Sequence, residues 1–210
     1  MNSAACKRKT PMIESRLLLV GCGILKKEIK ALIEKNGWPL DALFLDSSLH
    51  VDFEKLEASL TSALEKHRER EIIVFYGCCH PRMDKILERA GVFRTTGQNC
   101  VDMLLGNERF SADLQDGAFF LFEEWAKRWE PVMGKTFGGN MEVLRLVFQG
   151  DRKYLLCVQT PSSGDFKAEA EEAGRLVGLP VRSTEVSLDR LEAVLKTAIA
   201  RKRQEIACRS

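Results

Sequence analysis

The sequence predicts an α/β fold of three layers, in which a mostly parallel sheet carries helices on both faces, as in Rossmann-like proteins. The first observation is that short apolar runs, typical of strands buried on both faces, alternate with segments of helical periodicity. The second is size: the chain has 210 residues, 45% of them hydrophobic, which suffices for a substantial core. The sequence contains neither an internal repeat nor a long linker.

The first half of the chain alternates most regularly. Nearly continuous apolar character predicts strands in RLLLVGC (16–22), LDALFLDSSLH (40–50, running into a loop) and EIIVFYGCC (71–79). Helical spacing of apolar residues predicts helices in ILKKEIKALIEKNG (24–37), FEKLEASLTSALEKHRER (53–70) and PRMDKILERAG (81–91). Pro81 suits a first helical turn, and Gly37 and Gly91 suit helix ends. Residues 92–106 are expected to form a short strand, a polar loop and an apolar turn.

The second half begins irregularly and ends in a regular pattern. GAFFLFEEWAKRWE (117–130) is either a strand leading into a helix or a helix throughout, and a glycine-rich loop (134–140) precedes a helical MEVLRLVF. The segments 153–160 and 180–187 are predicted strands, 166–178 is a predicted helix, and a terminal helix follows. We expect a disordered segment at 1–14, one domain at 15–200 with a subdivision near 130–150, and a basic tail at 201–210.

Composition excludes several classes of protein. The 32 basic and 30 acidic residues leave a net charge of +2, and the basic residues are scattered, so nothing favours nucleic-acid binding. No run approaches the ~20 apolar residues of a membrane span, and the first residues lack an apolar signal segment. We therefore expect a cytoplasmic protein without membrane contact. Its oligomeric state stays open, a homo-oligomer included.

The seven cysteines are the most informative residues. In a reducing compartment they are buried thiols, metal ligands or a reactive thiol rather than disulfides. Cys22, His50 and Cys79 end predicted strands or follow them directly, and Cys100 lies in the loop after a fourth. Because the carboxyl ends of parallel strands share one edge, we expect these side chains at a single rim. Thiolate and imidazole suit zinc, iron or an iron-sulfur cluster.

Other residues near this rim admit two interpretations each. Cys78, adjacent to Cys79, is an extra ligand or a packed thiol, because successive residues of a strand point in opposite directions. His80, at a predicted helix start, is a metal ligand, a catalytic group or a helix cap. Gly21 and Gly23 follow a strand and admit close approach of a ligand to a helix start.

A dinucleotide site is only weakly indicated by these glycines. Lys26 replaces the third glycine of the pattern, although Asp46 stands about where a ribose-binding acid would. Trp125 and Trp129 share a helix face if their segment is helical. Core packing is the first interpretation of these two side chains, and a pocket wall is the second.

Short motifs in a fixed order make the chain resemble a known family. They are CGILKKEI, SLHVD, FYGCC, NCVDMLLGNERF and GAFFLFEEW. The sequence is similar to the bacterial and archaeal family called domain of unknown function 1638, from Cys22 to Trp125 and more loosely through the C-terminal strand-helix pair.

The resemblance implies which residues matter. The family cysteines fall on Cys22, Cys79 and Cys100, and the family histidine falls on His50. Glu28 matches a helix glutamate and Trp125 a tryptophan. The departures are Asn99 for an acid, Asn107 for a serine and Glu124 for a glycine. Members of the family are associated with corrinoid-dependent methyltransferase systems. This implies a link to methyl transfer or metallocofactor handling, with a corrinoid protein or methyltransferase as the partner.

Three functional hypotheses follow. The first is a protein that binds one metal ion or iron-sulfur cluster through Cys22, His50, Cys79 and Cys100, in a structural, delivery or methyltransferase-like role. In that hypothesis Glu28 carries protons or hydrogen-bonds a ligand. The second is a metal-free enzyme with a reactive Cys79, activated by a helix N-terminus and His80 or His50. The third is an inert module with buried cysteines that binds a partner.

Overall fold

The computed structural model describes residues 16–209 and confirms the α/β class, with parallel strands flanked by helices. The strands are β1 Leu17–Cys22, β2 Leu40–Leu45, β3 Ile72–Phe75, β4 Phe93–Arg94, β5 Ala118–Leu121, β6 Tyr154–Gln159 and β7 Val181–Glu185. The helices are α1 Lys26–Asn36, α2 Phe53–Lys66, α3 Met83–Arg89, α4 Cys100–Leu105, α5 Asn107–Gln115, α6 Glu123–Ala126, α7 Trp129–Phe137, α8 Met141–Asp151, α9 Lys167–Val177 and α10 Asp189–Arg209. Short 3₁₀ turns lie at Gly23–Leu25 and Ser47–Val51. The segment predicted as disordered, 1–14, lies outside the described residues.

The described strands form two separate parallel sheets rather than the one that was predicted. The first sheet has the order β2-β1-β3-β4, and the second has the order β5-β6-β7. The strand β5 pairs with β6 and makes no ladder with β4, which is only two residues long. An apolar run reveals that a segment is a strand but not which strand it pairs with, so this division could not be read from periodicity.

The core of the first sheet explains the apolar runs. Strand β1 lies between β2 and β3 and is buried along its whole length, as a central parallel strand should be. Gly21 permits this packing, because a Cβ atom there would stand 2.7 Å from the Cβ of Phe75. Helix α1 ends where the sequence predicted, at Gly37, whose φ of 58° is left-handed. Helix α3 begins at Met83, two residues after the proline that was expected to open it.

The terminal helix corrects another expectation. Helix α10 follows the last strand of the second sheet, yet its apolar residues are part of the core of the first sheet. Residues 201–209, predicted as a basic tail, belong to this helix. Lys202 is buried, with its Nζ 3.2 Å from Glu205 and lying over the ring of Phe93. The aliphatic stem and charge of this lysine are used in packing, which a local charge count does not reveal.

No helix within residues 16–209 has the length and apolar character needed to cross a membrane.

Candidate functional site

A cavity of about 350 Å³ lies where the carboxyl ends of β1 and β3 meet the second sheet. Its lining includes all four predicted ligands, Cys22, His50, Cys79 and Cys100. Apolar and aromatic side chains form much of the rest: Ile24, Val101, Leu114, Ala118, Phe119, Phe120, Phe122 and Trp125. The remaining residues of the wall are Asp46, Ser47, Tyr76, Asn99 and Arg152. The cavity is thus a thiol cluster facing an aromatic wall, and we call it the thiol cavity.

Each cysteine reaches the thiol cavity from a different segment. Cys22 is the last residue of β1, and Cys79 follows β3 by four positions. Cys100 is the first residue of α4, whose start is capped by Asn99: the Asn99 side chain accepts a hydrogen bond from the backbone N–H of Asp102 at 2.9 Å. Asn99 therefore caps helix α4, at a position where the family resemblance implied an acidic residue.

A tight backbone contact holds the Cys79 and Cys100 segments together. The backbone N–H of Cys78 donates to the carbonyl of Gln98 at 2.7 Å. At Gly77 an added Cβ would stand 2.1 Å from that same carbonyl oxygen. A glycine is required here, because any side chain would push the two segments apart.

The thiols of the cavity interact with one another. The neighbouring Cys22 side chain, together with burial, raises the pKa of Cys100 well above its usual range. Burial, with a further contribution from Cys22, also raises the pKa of Cys79. Both thiols are therefore protonated at neutral pH in the free protein. A raised pKa is the opposite of what the reactive-cysteine hypothesis requires of Cys79.

The cysteines are gathered, but they do not form a finished metal site. Within residues 16–209, no group of three or more His, Cys, Asp or Glu side chains is arranged to hold a metal ion. The chemistry of the donors fits a soft metal, since thiolate and imidazole are the preferred ligands of zinc and iron. The metal ligands therefore stay a prediction.

His50 has the hydrogen bond typical of a metal-binding histidine. Its Nδ1 lies 2.8 Å from the backbone carbonyl oxygen of Ser47. A carbonyl only accepts, so Nδ1 carries the proton and the neutral ring keeps a lone pair on Nε2. The ring also stacks on Trp125, with centroids 4.9 Å apart and planes 13° from parallel. The backbone carbonyl and the indole together fix the orientation of the imidazole.

A polar network ties the loop after β2 to helix α6. The indole N–H of Trp125 donates to the Ser47 hydroxyl at 3.0 Å, and that hydroxyl donates to Glu124. Arg128 donates to Glu124 and, at 3.0 Å, to Asp46. Glu124, a departure from the family pattern, thus anchors the wall of the thiol cavity. Of the two tryptophans, Trp125 is the pocket wall that was the second interpretation.

Removing the Ser47 hydroxyl is expected to loosen this network. In Ser47→Ala, the partly buried indole N–H and the Glu124 carboxylate each lose a partner, so the free energy of unfolding should fall by ~1–2 kcal/mol. Urea unfolding followed by circular dichroism measures the change. Ser183→Ala, an exposed serine of β7, is the matched control and should stay within ~0.5 kcal/mol of the wild type. Equal stability of the two variants would contradict the network.

The thiol cavity contains two residues that the sequence did not single out. Tyr76, directly after β3, is 2% exposed, and its hydroxyl has no hydrogen-bond partner among the described residues. Arg152, which ends α8, is half-buried, and its side chain makes no hydrogen bond or ion pair with any described residue. Tyr76 stands in the FYGCC motif of the family resemblance, at the end of a predicted strand, but was not named there as a site residue. Arg152 stands between the predicted helix MEVLRLVF and the predicted strand at 153–160.

Several predicted residues lie outside the thiol cavity. Glu28 lines a neighbouring cavity of about 270 Å³, where its carboxylate accepts a hydrogen bond from Thr160 at 2.8 Å and burial raises its pKa. Cys78 is exposed, with its sulfur 3.4 Å from the guanidinium of Arg94. Neither residue shares a wall with the cysteines, so neither contacts a ligand bound there.

His80 serves the start of α3. Its Nδ1 accepts a hydrogen bond from the backbone N–H of Arg82 at 2.9 Å, and its Nε2 is 3.5 Å from Glu57. The edge of the ring packs against Phe53. The ring is buried just before α3 rather than solvated at its N-cap, which is Arg82, and it does not line the thiol cavity, where its predicted catalytic role would place it.

The glycine pair after β1 is explained by strand packing. A Cβ at Gly23 would stand 2.9 Å from the carbonyl oxygen of Leu45, and Gly21 is equally close to β3. The carboxylate of Asp46 accepts from Ser48 and Arg128. Burial works to raise the pKa of Asp46, but these bonds outweigh it and hold the pKa below its usual range. The two glycines and Asp46, the residues considered for a dinucleotide site, therefore serve strand packing and hydrogen bonds within the protein.

Comparison with known proteins agrees with the motif resemblance. The model of the family described as protein of unknown function DUF1638 matches residues 44–195, which is more than half of the chain. Neither the curated proteins nor the solved structures give a significant match. The matched range includes His50, Cys79 and Cys100 of the thiol cavity, strands β3 and β4 of the first sheet and the whole second sheet. The chain therefore belongs to the DUF1638 family.

Proposed function

We propose that this protein binds a soft metal ion, zinc or iron, or an iron-sulfur cluster, in the thiol cavity. Cys22, Cys79 and Cys100 supply the thiolates, and His50 supplies the fourth ligand. The observation that supports the proposal most is that three cysteines, from a strand end, a loop and a helix start, line one cavity. Packing alone does not require three thiols to meet, because each would serve equally well elsewhere in the core.

The environment of the four donors supports a binding role. Cys22 contributes to the raised pKa of both Cys79 and Cys100, and all three thiols line the same cavity. The backbone carbonyl of Ser47 leaves the Nε2 lone pair of His50 available. A bound ion must displace the thiol protons and draw the side chains into one coordination sphere, because no finished ligand set stands among residues 16–209.

The residues around the donors shape the chemistry. A bound zinc or iron ion would act as a Lewis acid and hold a thiol in its thiolate form. The aromatic wall gives the thiols an apolar boundary on one side, and the Trp125 stack keeps the His50 ring in place. Methyl transfer to or from a thiolate is the enzymatic form of this proposal. The corrinoid partner in it comes from the family association alone.

Metal and sulfide analysis tests the proposal directly. The protein is purified without oxygen and without a chelating tag, and its metal and acid-labile sulfide are measured. We expect near-stoichiometric metal in the wild type and a loss of at least about tenfold in a Cys79→Ala, Cys100→Ala double variant, because two of four ligands are gone. Cys157→Ala is the matched control, since this buried thiol lies in β6, outside the thiol cavity.

The same preparations separate the alternatives. A wild type that holds no metal and takes up neither zinc nor iron contradicts the proposal. Alkylation with iodoacetamide then shows whether one fast thiol exists, as a reactive Cys79 would demand. The raised pKa of Cys79 and the position of His80 outside the thiol cavity give that alternative little support. Thiols that are slow to alkylate together, and become faster when metal is removed, support the metal site.

A further inference from the structure

The thiol cavity is larger than a metal ion requires. Its volume of about 350 Å³ lies at the lower end of the range typical of pockets for small organic ligands. An ion with four side-chain ligands occupies only the thiol side of this space. The remaining volume lies against the aromatic wall and has the size for a molecule of a few non-hydrogen atoms.

An unpartnered hydroxyl points to a polar atom on that molecule. Tyr76 is 2% exposed, and its hydroxyl makes no hydrogen bond with any residue in the range 16–209. Leaving a buried hydroxyl unsatisfied is costly, and native proteins rarely do so without a functional reason. A tyrosine hydroxyl can donate a hydrogen bond, so it would be satisfied by an acceptor atom on a bound molecule.

An unpaired cation in the same wall points to an acidic group. Arg152 is half-buried and lines the thiol cavity, and no carboxylate of the described chain pairs with it. The acidic residue of the wall, Asp46, is already bound to Arg128. A guanidinium is the side chain best suited to hold a carboxylate or sulfonate by two parallel hydrogen bonds.

The rest of the wall selects for a short apolar body. Phe119, Phe120 and Phe122 lie at the end of β5 and just after it, and Trp125 follows on α6. These rings present apolar surface in the same cavity as the thiols and Arg152. A ligand that spans the cavity therefore needs an apolar middle, a charged end for Arg152 and an end compatible with the cysteines.

We propose that the thiol cavity binds a small organic thiol that carries a carboxylate or sulfonate. Its acidic group pairs with Arg152, the Tyr76 hydroxyl donates to one of its polar atoms, and its sulfur lies beside the cysteines. The assignment of the sulfur end rests on the proposed metal site, since a thiol is a natural further ligand for a soft ion. The acidic end rests on Arg152 and Tyr76 alone.

Calorimetric titration under anaerobic conditions tests the two ends separately. The probes are 3-mercaptopropionate, which has both ends, butanoate, which lacks the sulfur, and 2-mercaptoethanol, which lacks the acid. We expect 3-mercaptopropionate to bind most tightly to the metal-loaded wild type. Arg152→Gln and Tyr76→Phe should each weaken it by about tenfold or more, because each removes a hydrogen bond to a charged or buried group.

The controls distinguish binding from folding. Lys153→Gln removes an adjacent, exposed cation outside the thiol cavity and should bind the probe as the wild type does. Tyr76→Phe should keep its metal and be at least as stable as the wild type in urea, because it deletes only an unpartnered hydroxyl. A loss of binding in this variant therefore reports on ligand contact.

The remaining outcomes show whether the ligand proposal, the metal site or both are wrong. If metal is present but the three probes bind alike or not at all, the ligand proposal is overturned while the metal site stands. If both Arg152→Gln and Tyr76→Phe bind 3-mercaptopropionate as the wild type does, the assignment of the acidic end is wrong. If the protein holds no metal and binds butanoate with the same affinity as 3-mercaptopropionate, the proposed metal site and the assignment of the sulfur end are both wrong.

Discussion

Replacing Gly77 by alanine is expected to lower the free energy of unfolding by about 3 kcal/mol, as severe overpacking does. The added Cβ would stand 2.1 Å from the carbonyl oxygen of Gln98 and 2.6 Å from the Cα of Asn99. All of these are backbone atoms, which cannot rotate away as the end of a side chain can. The segments that carry Cys79 and Cys100 would therefore have to separate, which should also lower the metal content of the variant.

Urea unfolding and metal analysis measure both effects of Gly77→Ala. Gly150→Ala in helix α8 is the matched control, because a Cβ there meets no atom within 4 Å. That substitution should stabilise the protein by up to ~1 kcal/mol, since alanine is the better helix former. If Gly77→Ala is as stable as the wild type, the close approach of these segments is not a requirement of the fold.

Replacing Glu123 by glutamine is expected to weaken the contact between the sheets. The buried Glu123 carboxylate accepts hydrogen bonds from Lys27 at 2.7 Å, from Lys127 at 2.7 Å and from the backbone N–H of Gly164 at 2.9 Å. These partners belong to helix α1, to the C-cap of α6 and to the loop after β6, so the group joins elements of both sheets. We expect Glu123→Gln to cost about 2 kcal/mol, discounted because both lysines are partly exposed.

The pH dependence of this effect follows from the pKa of Glu123. Burial acts to raise that pKa, but the two lysines and the Gly164 N–H outweigh it and lower it from 4.5 to about 2. A carboxyl with a depressed pKa contributes its full stability above about pH 4.5 and loses it as the pH falls towards 2. The gap in urea stability between wild type and Glu123→Gln should thus be clearly smaller at pH 3 than at pH 7.

Glu171→Gln provides the control for this experiment. Glu171 forms an exposed pair with Lys167 at 3.9 Å, so its removal should change stability by less than ~0.5 kcal/mol at either pH. A gap for Glu123→Gln that does not change between pH 7 and pH 3 would show that its ionisation does not stabilise the contact.

The order of strands and helices was determined by local sequence patterns. The apolar runs that become β1, β3 and β6 and the periodic segments that become α1, α2 and α9 are recognisable because burial imposes a period of two or 3.6. The position of cysteines at strand ends followed from the same patterns. Since parallel strands end at one edge, the sequence alone indicated that Cys22, Cys79 and Cys100 would meet in one place.

Only the tertiary structure decided which elements pair and what surrounds the cysteines. The division between the sheets, the packing of α10 on the first sheet and the burial of Lys202 depend on contacts between residues far apart in sequence. The same holds for Tyr76 and Arg152: only the assembled wall of the thiol cavity shows that neither polar group has a partner among residues 16–209. Periodicity records the face that a residue presents, whereas a site depends on which faces meet.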